Sequence, residues 1–193
     1  MTVKRLRLPG AEEILLAVMH LPSPLHWSAD ARSAECYQVA GVLRGIEDRI
    51  KHRRTILVGD FNVSPFEPGM TFANAFRGVS TMAIAKRGEG TVRGESYPFF
   101  YNPMWSCLGD GSPGPPGTYF KNTATHDCLF WYTPDQVLLR PALLDRYPLS
   151  SIRILDKIEG ASLLKAKSGI PDSARYSDHL PLVFSLDVPK YRG

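Results

Sequence analysis

An α/β or layered α+β domain is what this sequence predicts, on three observations. An apolar run, an amphipathic helical stretch and a second apolar run follow one another over residues 13–58, the order in which a strand, a helix and a strand are laid down. Two further strand-like runs, "DQVLLRPALL" and "LPLVFSLDV", lie in the last third of the chain. The 193 residues are 44% hydrophobic, enough to bury one sizeable core, so a single domain over 1–193 is expected.

"EILLAVMHLPS", residues 13–23, is a short apolar run ended by Pro22, which suits a strand buried on both faces. "VKRLRLPG" before it alternates basic and apolar residues and pairs with it as a hairpin. Over residues 28–51 the period changes: Val39, Val42, Leu43, Ile46 and Ile50 recur at helical spacing. Ser28 or Asp30 is the expected N-cap, and Lys51, His52 and Arg53 sit where the helix dipole favours positive charge. "TILV" follows at once as a β-branched strand. Residues 89–120 are rich in Gly, Pro and aromatic residues and read as a long loop with little regular structure. Its aromatics, Tyr97, Phe99, Phe100, Tyr101, Trp105 and Tyr119, are expected mainly to pack beneath that loop, with stacking on a substrate as their functional use. No internal repeat or low-complexity tract is present.

Composition removes several classes. Cys36, Cys107 and Cys128 are odd in number and lack paired short spacing, against both a disulfide framework and a zinc site. No apolar stretch has the length of a signal-peptide core or a membrane span, so a soluble, cytoplasmic protein is expected. The net charge of +4 suits a polyanionic partner without requiring one.

The chemistry concentrates at predicted strand ends: His20 after "LLAVM", Asp60 and Asn62 in "TILVGDFNVSPFEPG", Asp135 before "QVLLR", and Asp178 and His179 before "LPLVFSL". Side chains at strand ends can converge on one pocket. A buried strand ending in a polar turn explains "GDFN" by itself, but the set together is suited to metal-assisted hydrolysis of a phosphate ester. Carboxylates hold Mg²⁺ through oxygen, and a histidine held by a carboxylate takes the proton of the attacking water.

In order along the chain, "MHLPS", "GDFN", "DQVLLRPALL" and "SDH" followed by "LPLVF" resemble the endonuclease/exonuclease/phosphatase superfamily, to which deoxyribonuclease I belongs. The resemblance spans residues 13–188. It implies a layered β-sandwich flanked by helices, a Mg²⁺ or Mn²⁺ cofactor, and a phosphate-ester substrate, with DNA or RNA foremost. By motif, Asp60 and Asn62 would position the attacking water and the phosphate or a metal ion, with Asp60 and Asp178 as metal ligands. His179 would be the general base and Asp135 the carboxylate orienting it, with Asp127 in "THDCLF" its rival. His20 would stabilise charge on the phosphate or protonate the leaving group. Gly59 would permit tight backbone at the strand end.

The superfamily's N-terminal half, with its strand-borne asparagine and its metal-binding glutamate, finds no match. Glu12 and Glu13 stand at the wrong end of their strand to replace that glutamate. Three explanations are open: a C-terminal portion of a longer protein, a short relative that recruits the missing ligand from a second subunit, or a catalytically impaired fragment serving as a partner-binding or assembly module. Each leaves apolar sheet surface for a homo-oligomer or partner to cover.

Overall fold

Aliphatic and β-branched residues crowd the segments that form the centre of the sheet, and polar capping groups fix where the long helix begins. In the computed structural model, which describes residues 1–123, 126 and 128–187, strand β1 (Thr2–Leu6) pairs antiparallel with β2 (Ile14–His20) as the expected hairpin. Helix α1 (Ala29–Ile50) follows. The Ser28 hydroxyl accepts the Ala31 N–H at 3.2 Å, and Lys51 closes the helix with left-handed φ of 61°. Strand β3 (Thr55–Asp60) then lies parallel to β2.

The remaining elements are short. Beside four 3-10 turns they are, among the described residues, α2 (Pro68–Thr71), β4 (Gly78–Val79), α3 (Met82–Ala85), β5 (Glu89–Val92), β6 (Glu95–Pro98), β7 (Phe100–Tyr101), β8 (Tyr119–Phe120), β9 (Trp131–Tyr132), β10 (Asp135–Leu139), β11 (Arg153–Ile154), β12 (Lys157–Ile158), β13 (Ala161–Ser162) and β14 (Leu182–Val183). Six strands form one mixed sheet in the order β1-β2-β3-β10-β7-β4. The others pair two by two: β5 with β6, β8 with β9, β11 with β14 and β12 with β13.

Alternation along the strands gives the sheet two faces. Ala17, Met19, Leu57 and Leu138 look toward α1 and pack with its Cys36, Val39, Ala40 and Leu43. Ile14, Ile56, Val137 and Leu139 look the other way, onto the 3-10 turn Pro141–Arg146 and its Leu143 and Leu144. That second face is covered only in part. Leu16 and Val58 are half-buried and Val18 is exposed.

Three expectations change. Val42 lies outside the buried stripe of α1, and the helix instead buries Glu47 against Arg140. The stretch expected to be a long loop with little regular structure contains the β5–β6 hairpin, turned at Arg93 and Gly94 with φ of 50° and 85°, the paired positive angles of a two-residue hairpin turn. The last strand is only two residues long and joins β11, outside the main sheet. Of the six loop aromatics, Phe99, Phe100 and Tyr101 are buried, as packing under the loop requires.

Candidate active site

Register places three polar residues side by side. His20 is the partner of Asp60 across the parallel β2–β3 pair, and Asp60 is the partner of Asp135 across the antiparallel β3–β10 pair. Directly paired residues share a face, so His20, Asp60 and Asp135 form a row at one end of the second face. Between Asp60 and Asn62, Phe61 turns inward. It is fully buried and meets Phe76 edge-on with ring centroids 5.7 Å apart. A buried anchor between two polar residues therefore explains "GDFN": alternation sends Phe61 to the core and holds its neighbours at the surface.

Asn62 has φ of 50°, a left-handed angle that asparagine tolerates better than most residues. Its backbone N–H donates to Asp60 Oδ1 at 2.9 Å, and its side-chain amide donates to Leu21 O at 2.8 Å and Asp60 Oδ2 at 3.1 Å. Asp60 is thus fixed by its own turn. Burial pushes its carboxyl above the ordinary value, with the Asn62 N–H pulling the other way. His20 is mostly exposed, with Nε2 4.0 Å from Asp60 Oδ2.

His179 reaches the row from a distant part of the chain. It forms a backbone bridge to Tyr119, and Leu180 N–H donates to Thr118 O at 2.7 Å. Its Nδ1 lies 2.7 Å from Asp135 Oδ2, and the Tyr119 ring packs against the imidazole with centroids 4.9 Å apart. The bond to Asp135 raises the His179 pKa above the usual histidine value, against burial, which lowers it. The pairing stabilises the fold fully below about pH 6.5, the unfolded value, and that contribution is lost as pH rises through the raised folded value.

Asp178 is exposed and stands outside the cluster formed by Asp60, Asp135 and His179, although its charge helps raise His179. Asp127 lies outside the described residues. Glu13 precedes β2, at the far end from the row, and is held there by Arg5 and Arg7, each at 2.7 Å, and by His52 at 3.3 Å. Glu12 pairs with Arg54 and Arg146. Neither is available to the site.

The cluster's three ligand atoms lie within 4.8 Å of one another. Because His179 Nδ1 and one Asp135 oxygen engage each other, Asp60 and the second Asp135 oxygen are the donors left for a cation. One or two carboxylates, completed by water and substrate phosphate, is how Mg²⁺ is commonly held, so the donor set fits a hard divalent ion. Asp60, Asp135 and His179 line a cavity of about 520 Å³. Its wall continues along the second face through Val58, Val137, Leu182 and Phe184.

The family model described as Endonuclease/Exonuclease/phosphatase family matches residues 3–179. The chain belongs to that family. Its α+β architecture, one multi-stranded sheet with few helices, is of the deoxyribonuclease I-like kind that the family motifs imply. Solved structures are similar to it, two of them as follows. The human Nocturnin catalytic domain with bound sulfate anion shares 19% identity at a TM-score of 0.48, over 92% of this chain and 48% of that one. A functionally unknown conserved protein from Enterococcus faecalis shares 19% at a TM-score of 0.45, over 92% and 51%. The chain spans about half the length of these structures. No curated protein matches it significantly.

One residue of the site was not legible in the sequence. Thr118 is fully buried, and its hydroxyl donates to Asp135 Oδ2 at 2.6 Å. It stands in a tract of prolines and glycines where nothing marks a threonine as polar machinery. Its neighbour Gly117 is held to glycine by the same close approach, since a Cβ there would come within 2.5 Å of Tyr132 O.

Proposed function

We propose that the protein is a divalent-metal-dependent phosphoester hydrolase, acting on a phosphodiester, with nucleic acid the substrate class its net charge of +4 favours. The observation that carries this reading is the His179–Asp135 pair beside Asp60 at one end of the sheet. Asp135 accepts the Nδ1–H of His179, which leaves Nε2 as the atom that takes a proton from water. The same carboxylate steadies the imidazolium that results. The Asn62 turn fixes Asp60, and His20 stands at the row's exposed end, where it neutralises charge on the phosphate or protonates the leaving oxygen. Asp60 and Asp135 would hold Mg²⁺ or Mn²⁺, which when bound supplies charge stabilisation at the phosphoryl oxygens.

The test is hydrolysis of an aryl phosphodiester and of supercoiled plasmid with Mg²⁺ or Mn²⁺ against chelator. His179→Ala is expected to lose about a hundredfold or more, the scale of general-base catalysis, and Asp60→Ala should match the chelated protein. Cleavage that survives chelator, or that His179→Ala leaves unchanged, would overturn the reading.

The base acts when neutral, so activity should rise with pH through a value above 6.5, the ordinary histidine pKa. Asp135→Asn removes the charge that raises it and should slide the acidic limb toward lower pH. A kcat/KM profile whose limb ignores this substitution would exclude His179 as the titrating group.

The second face of the sheet favours one addition. With Val18 exposed and Leu16 and Val58 half-buried beside the site, we infer that a second copy covers it. Sedimentation should then show a dimer, and a clean monomer at micromolar concentration would count against it.

A further inference from the structure

We propose that Thr118 is a positioning residue of the site, holding the Asp135 carboxylate in the one orientation that fixes the proton of His179 on Nδ1. The inference rests on the hydrolase reading above and adds to it a group that never touches substrate.

Asp135 Oδ2 is the junction of two short hydrogen bonds, one from the Thr118 hydroxyl at 2.6 Å and one with His179 Nδ1 at 2.7 Å. A carboxylate on a strand end can swing about its terminal torsion, which is broad for aspartate. The carboxylate is a quarter exposed, so water would compete for its oxygens if nothing held them. Thr118 is fully buried, so its hydroxyl has no solvent to turn to. A hydroxyl carries one proton, and here it is committed to Oδ2. The carboxylate is thereby held at the oxygen that meets the imidazole, and the imidazole finds an acceptor already in place.

The Thr118 main chain has a separate task. Its N–H donates to Tyr132 O at 2.9 Å and its C=O accepts from Leu180 N–H at 2.7 Å, so the backbone alone ties the segment carrying His179 to β9. Removing the hydroxyl leaves both bonds intact. The side chain and backbone of one residue can therefore be told apart by substitution, which is uncommon for a buried position. Orientation of a histidine by an acceptor that is itself held by a hydrogen bond is how such ligands and bases are generally fixed in one tautomer.

The test compares Thr118→Ser with Thr118→Ala. Both lose the methyl group and they differ by one oxygen, so any cost of the smaller side chain is shared. Thr118→Val, which keeps the shape and loses the hydroxyl, is the second route to the same comparison. Long-range ¹H–¹⁵N spectra of the metal-free protein report the tautomer of each histidine, and the His179 signals are those missing from His179→Ala. The wild type and Thr118→Ser are expected to hold His179 as the Nδ1–H form, and Thr118→Ala and Thr118→Val to populate both forms. With an aryl phosphodiester and Mn²⁺, the same two variants should lose about tenfold or more in kcat, as a hydrogen bond to a charged group is worth, with KM little changed.

A Thr118→Ala protein that keeps the Nδ1–H form and the wild-type kcat would overturn the proposal, as would a wild type whose His179 is not the Nδ1–H form. The spectra need no substrate, so absence of hydrolysis in wild type and variants alike would sink the hydrolase reading while the tautomers still decide the role of Thr118.

Discussion

Gly59→Ala is expected to abolish both the fold of the sheet's active end and any hydrolysis. Gly59 has φ of 144°, a region that residues with a side chain rarely enter. A Cβ added there would lie 1.8 Å from Met19 O and 2.8 Å from Met19 C, with Met19 its direct partner across the parallel β2–β3 pair. The obstacle is backbone, so no rotamer change relieves it. Either β2 and β3 part at this point, or β3 changes its dihedrals and redirects Asp60. The first outcome breaks the pairing that sets His20 beside Asp60, and the second breaks the Asn62 turn that fixes the carboxylate. A backbone position of this kind costs about 1–3 kcal/mol in dihedral strain alone, and the clash carries the total past about 4 kcal/mol, the range kept for exceptional substitutions. Denaturant unfolding and soluble yield measure it. A Gly59→Ala protein with the wild-type midpoint would mean the two strands do not approach as described.

The glycine and the residues after it were the most legible part of the chain, because each does a local job with a local signature. A β-branched run, a glycine, and a phenylalanine between two polar residues specify a buried strand, a close approach and an inward anchor without reference to the rest of the molecule. Ser28 was legible for the same reason: an N-cap bonds three residues ahead. What escaped notice depended on partners far away in sequence. Thr118 matters only because Asp135 is beside it, and Glu47 takes a place on the helix face turned to the sheet, where Val42 does not, by meeting Arg140 93 positions later. The β5–β6 hairpin is masked for a different reason. Its two-residue turn was visible as Arg93 and Gly94, but the surrounding Gly, Pro and aromatic content masked a strand pattern only four residues long on each side. The final strand was overread because "LPLVFSLDV" is apolar throughout. Only Leu182 and Val183 find a ladder, while Phe184 and Leu186 pack against the core without one.

Glu47→Ala is expected to cost about 3–5 kcal/mol, the usual penalty for leaving one member of a buried ion pair alone. Glu47 and Arg140 are 1% and 2% exposed. Two parallel bonds of 2.9 Å join them, from Arg140 Nε and one terminal nitrogen to the two carboxylate oxygens, the planar match that arginine offers and lysine does not. The Thr55 hydroxyl donates to Glu47 at 2.6 Å. Arg140 donates to Pro98 O and Phe99 O at 2.9 and 3.1 Å and lies over the Phe100 ring at 3.7 Å. One pair therefore joins α1, β3, the end of β10 and the strand leading into β7. Burial lowers the Arg140 pKa and the Glu47 charge opposes that shift, yet a guanidinium stays charged at any working pH. Taking away Glu47 strands that cation in the core. Arg140→Met strands the carboxylate instead, and the double variant Glu47→Leu with Arg140→Met strands neither, so its loss should fall well short of the sum of the singles. Unfolding midpoints of the four proteins measure this, and additive losses would mean the pair is not coupled as its geometry requires. Arg140 follows the last residue of the strand whose first is Asp135, so the pair stands at the end of β10 remote from the catalytic row. The folded fraction of each variant should then keep the wild-type kcat, which separates a residue that holds the sheet to its helix from one that holds the site.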